Sequence, residues 1–322
     1  MNIFPPRWAL VLAAALAYPL SVMAAWPEKP IKMVVPYSAG SLGDTVTRLL
    51  ADGMRERLGV VVVENKPGAG GNLGTQAVTQ AAPDGYTFVV GATNNFVINQ
   101  YLYKSLRFDP LKALDPVTVL VEVPSVVFVN SQTGVRGLAD LTALAKANAG
   151  KFNYGSSGAG TMPHVTGELI NKALGLGFVH VPFKGSPEVM TALLSNEVQM
   201  YVVGPAVGLP YVKTGKLRAL AVSGSARLAV LPETPTFQEV GLGKVKAGNW
   251  WGVAAPRHTP RDIVNRFHAA LRDALMQPAM QARLQEMGMT PVGSTPDATS
   301  RRLNEEARYW QGALQGMGIS LD

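Results

Sequence analysis

The sequence predicts an α/β fold built from two lobes of similar design. Apolar segments of strand length alternate with amphipathic segments of helical period over residues 31–90, and the same alternation restarts over residues 125–222. In both halves a loop rich in Gly and Ser follows a strand and precedes a helix. Alternation of this kind is typical of sheets covered by helices on both faces. Because the order of elements occurs twice, we expect two lobes.

The first half alternates strand and helix, which predicts a mostly parallel sheet. Val46, Leu50 and Leu58 share one face of the first helix. A turn at residues 83–85 precedes the third strand. The predicted ranges are strand 31–36, helix 46–58, strand 60–63, helix 73–81 and strand 86–90.

The second half repeats this order and connects to the first half by two crossings. The chain leaves the first lobe near residues 121–127 and returns through a strand at 250–255. We therefore expect one lobe to comprise residues 25–123 and 251–322, and the other to comprise residues 124–250. The predicted ranges in the second lobe are strand 125–129, helix 138–147, strand 152–154, helix 165–174, strand 178–183, helix 187–194, strand 200–203 and strand 218–222.

The end of the chain is predicted to be mostly helical. Thr259 is expected to cap a helix whose first residue is Pro260, with Asp262 in its first turn. Two further helices are predicted at residues 278–287 and 295–317.

The composition is that of a folded protein without disulfides. The chain has 322 residues, of which 47% are hydrophobic and 16% charged, and it has no cysteine. This excludes disulfide bridges, thiolate metal ligands and cysteine nucleophiles. The formal net charge is +7, but the basic residues form no cluster, so we expect no nucleic-acid partner.

Residues 1–24 have the three parts of a secretory signal peptide. Arg7 supplies the positive charge, residues 8–22 form an apolar run, and the small residues around Ala24 suit cleavage. The run is shorter than the ~20 residues that span a bilayer, which argues against a membrane anchor. We therefore expect export to the periplasm and removal of the signal.

Two loops rich in Gly and Ser are the candidate binding elements. Residues 37–44 and 154–164 each join a strand to a helix. Glycine lets backbone N–H groups approach a ligand, and a helix N-terminus carries unpaired N–H groups and about half a positive charge. Open α/β sheets bind ligands at the C-terminal ends of their strands. The two loops therefore predict an anion site shared between the lobes.

Other patterns in the sequence give no cofactor or metal site. Gly68, Gly70 and Gly74 depart from the spacing of a dinucleotide fingerprint, and the four histidines lack the HExxH spacing of zinc enzymes, so we expect neither a cofactor nor a metal. One catalytic alternative stays open, because Ser157 and His164 are close enough in sequence for a serine hydrolase. No GxSxG elbow surrounds Ser157.

Seven segments, in order along the chain, match the motifs of one family. They are residues 27–36, 63–72, 83–87, 154–168, 180–185, 231–236 followed by 239–241, and 251–256, and the fourth contains a Gly-Thr-x-x-His motif that ends at His164. Together they resemble the mature substrate-binding proteins of tripartite tricarboxylate transporters, known as the Bug family. The resemblance covers nearly the whole chain after the signal.

The resemblance implies a two-lobed type II periplasmic-binding-protein fold, with mixed sheets flanked by helices and two crossing strands as the hinge. It implies a receptor and not an enzyme. The two lobes of this receptor would close like a flytrap on a small organic carboxylate. Di- and tricarboxylates and aromatic acids are all possible ligands. The partners implied are that carboxylate and a two-component membrane permease, and we expect the receptor to be a monomer. A sensor subunit of a signalling system is an alternative that the sequence leaves open.

By the same resemblance, ligand-binding residues are placed on both loops. Thr93, after the third strand, fits a further position in the cleft. Val203 lies in a strand that lacks the aspartates common in the family, which favours a ligand with an apolar or aromatic body. The first loop departs from the usual Pro-Gly-Gly, since it contains Ala39, Gly40 and Ser41. The implied loop residues are Tyr37, Ser38, Gly40, Ser41 and Asp44 in the first lobe and Ser157, Gly160, Thr161 and His164 in the second.

Overall fold

The computed structural model describes residues 26–315 and Leu321, and it has the two lobes that the sequence predicts. The predicted signal peptide, residues 1–24, lies outside the described residues. Within them, one lobe is built on a six-stranded sheet and the other on a five-stranded sheet. Apolar clusters cover both faces of each sheet.

The predicted strands and helices are present in the predicted order with bounds that differ by a few residues, except that the predicted helix 46–58 is divided into two helices at Met54. Strands at 114–123 and 290–291 and helices at 99–102, 110–113 and 205–213 lie where the sequence analysis predicts no element. The strands are β1 (Ile31–Val35), β2 (Val61–Asn65), β3 (Thr87–Ala92), β4 (Leu114–Val123), β5 (Val126–Asn130), β6 (Asn153–Ser156), β7 (Val179–Pro182), β8 (Met200–Val203), β9 (Leu217–Val222), β10 (Asn249–Pro256) and β11 (Thr290–Pro291). The helices are α1 (Leu42–Gly53), α2 (Arg55–Leu58), α3 (Asn72–Thr79), α4 (Asn99–Leu102), α5 (Pro110–Ala113), α6 (Leu138–Ala147), α7 (Met162–Leu174), α8 (Ser186–Leu194), α9 (Pro205–Lys213), α10 (Arg261–Met276), α11 (Pro278–Glu286) and α12 (Pro296–Gln315). A π-helix at Asn94–Ile98 follows β3.

The first sheet is parallel at one side and antiparallel at the other, in the order β11-β4-β10-β3-β1-β2. β1 runs parallel to β2 and β3. β10 returns from the second lobe and lies antiparallel between β3 and β4. This insertion makes the sheet mixed, where the sequence of the first half alone predicts a mostly parallel one.

The second sheet has the order β7-β6-β8-β5-β9. β6 is parallel to β7 and β8, whereas β5 is antiparallel to β8 and β9. Alternate residues of β5 point to opposite faces, as in any strand. Val127 packs with Tyr154 on one face, and Phe128 packs with Tyr201 on the other.

Two connections join the lobes. β4 ends at Val123 and β5 begins at Val126, so Pro124 and Ser125 carry the chain out of the first sheet. The chain re-enters that sheet at Asn249, where β10 begins. These are the two crossings expected from the sequence. The lobe boundaries at 123/124 and 250/251 stay a prediction.

One local prediction is wrong. Pro260 lies just outside α10, which begins at Arg261, and no side chain caps this helix. The hydroxyl of Thr259 instead donates to the carbonyl of Pro256 (2.7 Å), which closes the turn after β10. In the described part of the chain, no helix combines the length and hydrophobicity that a bilayer span requires.

Candidate functional site

The first predicted loop is held in shape by reciprocal hydrogen bonds at the start of α1. The Ser41 hydroxyl accepts a hydrogen bond from the N–H of Asp44 (3.4 Å), and the Asp44 carboxylate accepts one from the N–H of Gly40 (2.9 Å). Gly40 has a φ of +76°, in the left-handed region that favours glycine. The loop therefore presents the N-terminus of α1 with its geometry fixed before any ligand binds.

Asp44 is engaged by this loop and by two neighbouring side chains. Burial acts to raise the pKa of its carboxyl, but the hydrogen bonds from Arg48, Gly40 and Asn65 outweigh burial and hold the pKa below its usual range. Arg48 approaches to 2.9 Å and the Asn65 amide to 3.0 Å. Asp44 is therefore ionised, and its oxygens are occupied by partners within the first lobe.

The second predicted loop is held by glycine and histidine. Thr161 precedes α7, and its hydroxyl donates to the carbonyl of Gly158 (2.7 Å). Gly160, with a φ of +74°, donates its N–H to Nδ1 of His164 (3.1 Å). Because Nδ1 accepts this bond, His164 is neutral at that atom. His164, in the first turn of α7, thus holds the loop that precedes the helix.

Four helices begin at one cavity between the lobes. α1 belongs to the first lobe, and α7, α8 and α9 belong to the second. The first turn of a helix has unpaired N–H groups and carries about half a positive charge. Since the residue before each helix lines the cavity, all four N-termini border the same space. Those residues are Ser41, Thr161, Gly185 and Gly204.

Of the described residues that line the cavity, one is charged, the exposed Lys184, and none carries a carboxylate. Hydroxyl and amide groups supply further hydrogen-bond partners, and the remaining wall is apolar. The polar side chains are those of Tyr37, Ser38, Ser41, Asn94, Ser125, Ser157, Thr161, Ser186 and Asn249. The apolar side chains are those of Leu42, Ala92, Met162, Pro163, Val202, Val203 and Trp251.

The lobes are closed over this cavity. The hydroxyl of Tyr103 in the first lobe donates to the carbonyl of Ala159 in the second (2.6 Å), and the hydroxyl of Ser38 donates to the carbonyl of Lys184 (3.2 Å). The remaining space is about 60 Å³, which holds only a few water molecules. A larger ligand therefore requires the lobes to separate.

The predicted site residues fall into two groups. Six of them line the cavity, and they are Tyr37, Ser38, Ser41, Ser157, Thr161 and Val203. The other five do not line the cavity but form hydrogen bonds that hold the loops and strands around it, and they are Gly40, Asp44, Thr93, Gly160 and His164. Thr93 is an example, because it is fully buried and accepts a hydrogen bond from the N–H of Trp250 (3.0 Å). Its hydroxyl also lies 3.1 Å from Oδ1 of the cavity residue Asn249.

Tyr37 and its neighbours form the polar floor of the first lobe. Its hydroxyl lies 2.8 Å from Oδ1 of both Asn94 and Asn95. Burial raises the pKa of Tyr37 above its ordinary value, so the side chain is a neutral hydrogen-bond partner. The amides of Asn94, Asn95 and Asn99 all donate to the carbonyl of Gly70, which anchors the π-helix. π-helices of this kind are frequent at functional sites.

Sequence reasoning missed several cavity residues. Lys184, Gly185 and Ser186 carry a usable signal, since they repeat the order of strand, Gly/Ser loop and helix. The local sequence predicts the returning strand but not that Asn249 and Trp251 reach the cavity, because β10 brings them there from a distant part of the chain.

The serine and histidine side chains are not arranged for hydrolysis. Ser157 forms a hydrogen bond with Tyr201, and the serine beside a histidine is Ser156, which lies 2.6 Å from Nε2 of His180. Ser156 is fully buried and also donates to the carbonyl of Gly158. Such a serine is closed to substrate. Within the described residues, no three His, Cys, Asp or Glu side chains gather into a metal site.

A larger groove, of about 790 Å³, lies between the lobes on the other side of the crossing strands. Glu122, Arg227, Lys246, Arg302 and Glu306 are among its lining residues. Both signs of charge are present, and Arg302 is paired with Glu122 and Glu306. None of the four helix N-termini borders this groove, so the smaller cavity is the candidate site.

Comparison with known proteins identifies relatives of the whole chain. The family described as "Tripartite tricarboxylate transporter family receptor" matches residues 46–319. The structure is similar to that of the periplasmic binding protein BugD, with 31% identity, a TM-score of 0.87, and coverage of 92% of this chain and 99% of that one.

Two further similar structures contain a bound acid. A protein from R. palustris with adipate shares 29% identity, with a TM-score of 0.88 and coverage of 92% of this chain and 99% of that one. MatC from Rhodopseudomonas palustris with bound malate shares 30% identity, with a TM-score of 0.85 and coverage of 90% of this chain and 100% of that one.

Proposed function

Since the chain belongs to the receptor family of tripartite tricarboxylate transporters, which includes the Bug proteins, we propose that it captures a small organic carboxylate between its lobes. As a member of this family it is a periplasmic solute-binding receptor and not an enzyme. The observation that carries the proposal is the meeting of four helix N-termini at one cavity without a carboxylate in its wall.

The charge of the cavity favours an anion and disfavours a zwitterion. The helix ends and Lys184 attract a carboxylate, whereas the ammonium group of an amino acid finds no counter-charge in the wall. Hydrogen bonds to a charged group contribute roughly 1.5–3 kcal/mol each. A few of them therefore account for the ~8 kcal/mol that micromolar affinity requires.

The apolar part of the wall favours a ligand with a hydrocarbon body. Leu42, Met162, Val203 and Trp251 supply most of this surface. Two structural relatives hold adipate and malate, which are linear dicarboxylates of six and four carbons. We therefore propose a dicarboxylate or an acid with an aromatic body as the ligand.

A thermal-shift screen over adipate, malate, citrate and benzoate tests this proposal, with glutamate as the zwitterionic comparison. A ligand present at a hundred times its Kd stabilises the folded state by about 2.7 kcal/mol, which raises the melting temperature by several degrees. We expect at least one acid without an ammonium group to do so. If none of the acids changed the melting temperature, the proposal would be wrong.

Thr161→Val is the first cavity variant to compare in this screen. It removes the hydroxyl that donates to the carbonyl of Gly158 and so holds the second loop at the cavity, and we expect it to weaken acid binding at least fivefold. Thr191→Val is the matched control, because Thr191 is exposed on α8 and its hydroxyl bonds only to the same helix. Equal affinity for both variants would contradict the placement of the site.

We also propose that the closed, loaded receptor delivers its ligand to a membrane permease. The crossings at Pro124 and Asn249 would serve as the hinge between a lobe of residues 25–123 and 251–322 and a lobe of residues 124–250. Uptake of the acid by cells that contain the permease should require this protein. Undiminished uptake after its deletion would contradict the role in transport without affecting the proposal of carboxylate binding.

A further inference from the structure

Trp251 occupies the floor of the cavity, on the strand β10 that returns between the lobes. It lines the cavity and is 5% exposed. The ring of Tyr37 meets it edge to face, with centroids 5.1 Å apart. Its six-membered ring lies so close to α1 that a Cβ at Gly43 would fall 1.9 Å from it. The ring is therefore held between the first helix and the first loop.

The indole nitrogen of Trp251 is a buried donor without an acceptor. Among the described residues, three buried polar side-chain atoms lack a hydrogen-bond partner, and they belong to Trp26, Thr166 and Trp251. Of these three, Trp251 alone lines the cavity. Leaving a buried N–H group unpaired is costly, so native proteins rarely do it without a reason.

The neighbouring tryptophan shows the ordinary arrangement. Trp250 lies on the opposite face of β10, and its indole N–H donates to the Glu306 carboxylate at 2.9 Å. The two adjacent tryptophans of β10 therefore differ in whether the indole N–H has an acceptor within the protein. The protein itself supplies the acceptor for Trp250, whereas Trp251, a residue of the cavity wall, has an indole N–H without one.

We infer that the indole N–H of Trp251 donates a hydrogen bond to an oxygen of the bound acid, which makes Trp251 a specificity-determining residue. This rests on the proposed function and narrows its ligand class. One carboxylate meets the helix N-termini, and a second oxygen, from another carboxylate or a hydroxyl group, meets the indole. Acids that carry a single carboxylate on a plain hydrocarbon chain leave the donor unpaired and bind more weakly.

Matched pairs of acids test this inference in the wild-type protein and in Trp251→Phe, which keeps an aromatic ring and removes the donor. Adipate is compared with hexanoate, and malate with butyrate, so that chain length stays constant within each pair. We expect the wild type to prefer the diacid of at least one pair by tenfold or more. Trp251→Phe should lose about tenfold in affinity for that diacid and less than threefold for its monoacid.

Trp250→Phe is the control variant, since it removes an indole donor from the same strand on the face away from the cavity. Its affinity for the diacid should match the wild type. If Trp251→Phe retained the wild-type preference for the diacid, the inference would be overturned while the proposed carboxylate binding stood. If the wild type bound none of the four acids, the inference would be overturned, and the proposed function would also be overturned if citrate and benzoate failed to bind.

The nitrogen resonance of the indole provides a test that does not depend on folding of the variant. In the wild-type protein with 15N-labelled tryptophan, adding the preferred diacid should shift the Trp251 N–H signal downfield and slow its exchange with water. The signals of Trp26, Trp250 and Trp310 should move much less. A Trp251 signal unchanged at saturating diacid would overturn the inference.

Discussion

The imidazole rings of His164 and His180 stack with their centroids 3.8 Å apart, next to the second binding loop. Burial lowers the pKa of His164 to about 4 and that of His180 to about 3, and in His180 the neighbouring His164 adds to the effect. Glu168 faces the pair and acts in the opposite direction on His164, more weakly. Both rings are therefore neutral at pH 7, as the hydrogen bond from Gly160 to Nδ1 of His164 requires.

This pair predicts a loss of stability in acid. Because the pKa of His164 is about 4 in the folded protein and 6.5 in the unfolded chain, the unfolded chain takes up the proton first as the pH falls. The contribution of neutral His164 to the free energy of unfolding is present above pH 6.5 and is lost between pH 6.5 and pH 4. Denaturant unfolding at pH 7, 5.5 and 4.5 measures it.

His164→Asn is the variant that isolates the titration, since asparagine keeps an acceptor for the Gly160 N–H and has no proton to gain. Between pH 7 and pH 4.5 the wild type should lose about 2 kcal/mol more than this variant. An equal loss in both proteins would show that His164 does not limit acid stability.

Asp44→Asn should loosen the first binding loop. It removes the charge that Arg48 and the Gly40 N–H contact, and it weakens the capping of α1. We expect a loss of about 1 kcal/mol in unfolding free energy and a severalfold weaker affinity for the acid. Asp52→Asn, at an exposed position of the same helix, is the control. Calorimetric titration with the acid should give weaker binding for Asp44→Asn and unchanged binding for Asp52→Asn.

Gly43→Ala should damage both the core and the floor of the cavity. The added methyl group would lie 1.9 Å from the ring of Trp251, so the ring or the helix must shift. Overpacking of this kind costs about 1–3 kcal/mol. Gly312→Ala on α12 meets no atom within 4 Å and should be neutral or stabilising, as alanine favours helices. Melting temperatures that fell equally would contradict this account.

Tyr103→Phe should open the ligand-free protein. It removes the hydrogen bond to the carbonyl of Ala159 that joins the lobes. One such bond contributes about 1 kcal/mol, or roughly a fivefold change in the balance of open and closed forms. Small-angle scattering should give a larger radius of gyration for the variant without ligand. Identical profiles would mean that this contact does not hold the lobes together.

The sequence predicts the helices and loops that are determined by residues close together along the chain. Helix α6, Leu138–Ala147, has the predicted bounds, because apolar spacing and a flanking glycine define it. The loops at Ser41 and Thr161 are recognisable because each follows a strand and starts a helix. Helices and loops that are defined by the spacing of apolar residues and by neighbouring glycines can therefore be predicted from the sequence pattern alone.

Long-range placement is not contained in these patterns. The position of β10 between β3 and β4, which brings Asn249 and Trp251 to the cavity, depends on pairing between residues more than a hundred apart. The roles of Asp44 and His164 in holding the loops around the cavity depend on side-chain partners that only the folded chain brings together. The order Thr-Pro-x-Asp predicts that Thr259 caps α10, but its hydroxyl donates to the carbonyl of Pro256 in the turn after β10.

A crystal structure with the tightest-binding acid of the screen tests the central claim most directly. A carboxylate of that ligand should lie within hydrogen-bond distance of backbone N–H groups at the start of α1 and of at least one of α7, α8 and α9. Electron density for the acid only in the groove beside Arg302, or helix N-termini that point away from the bound acid, would contradict the account.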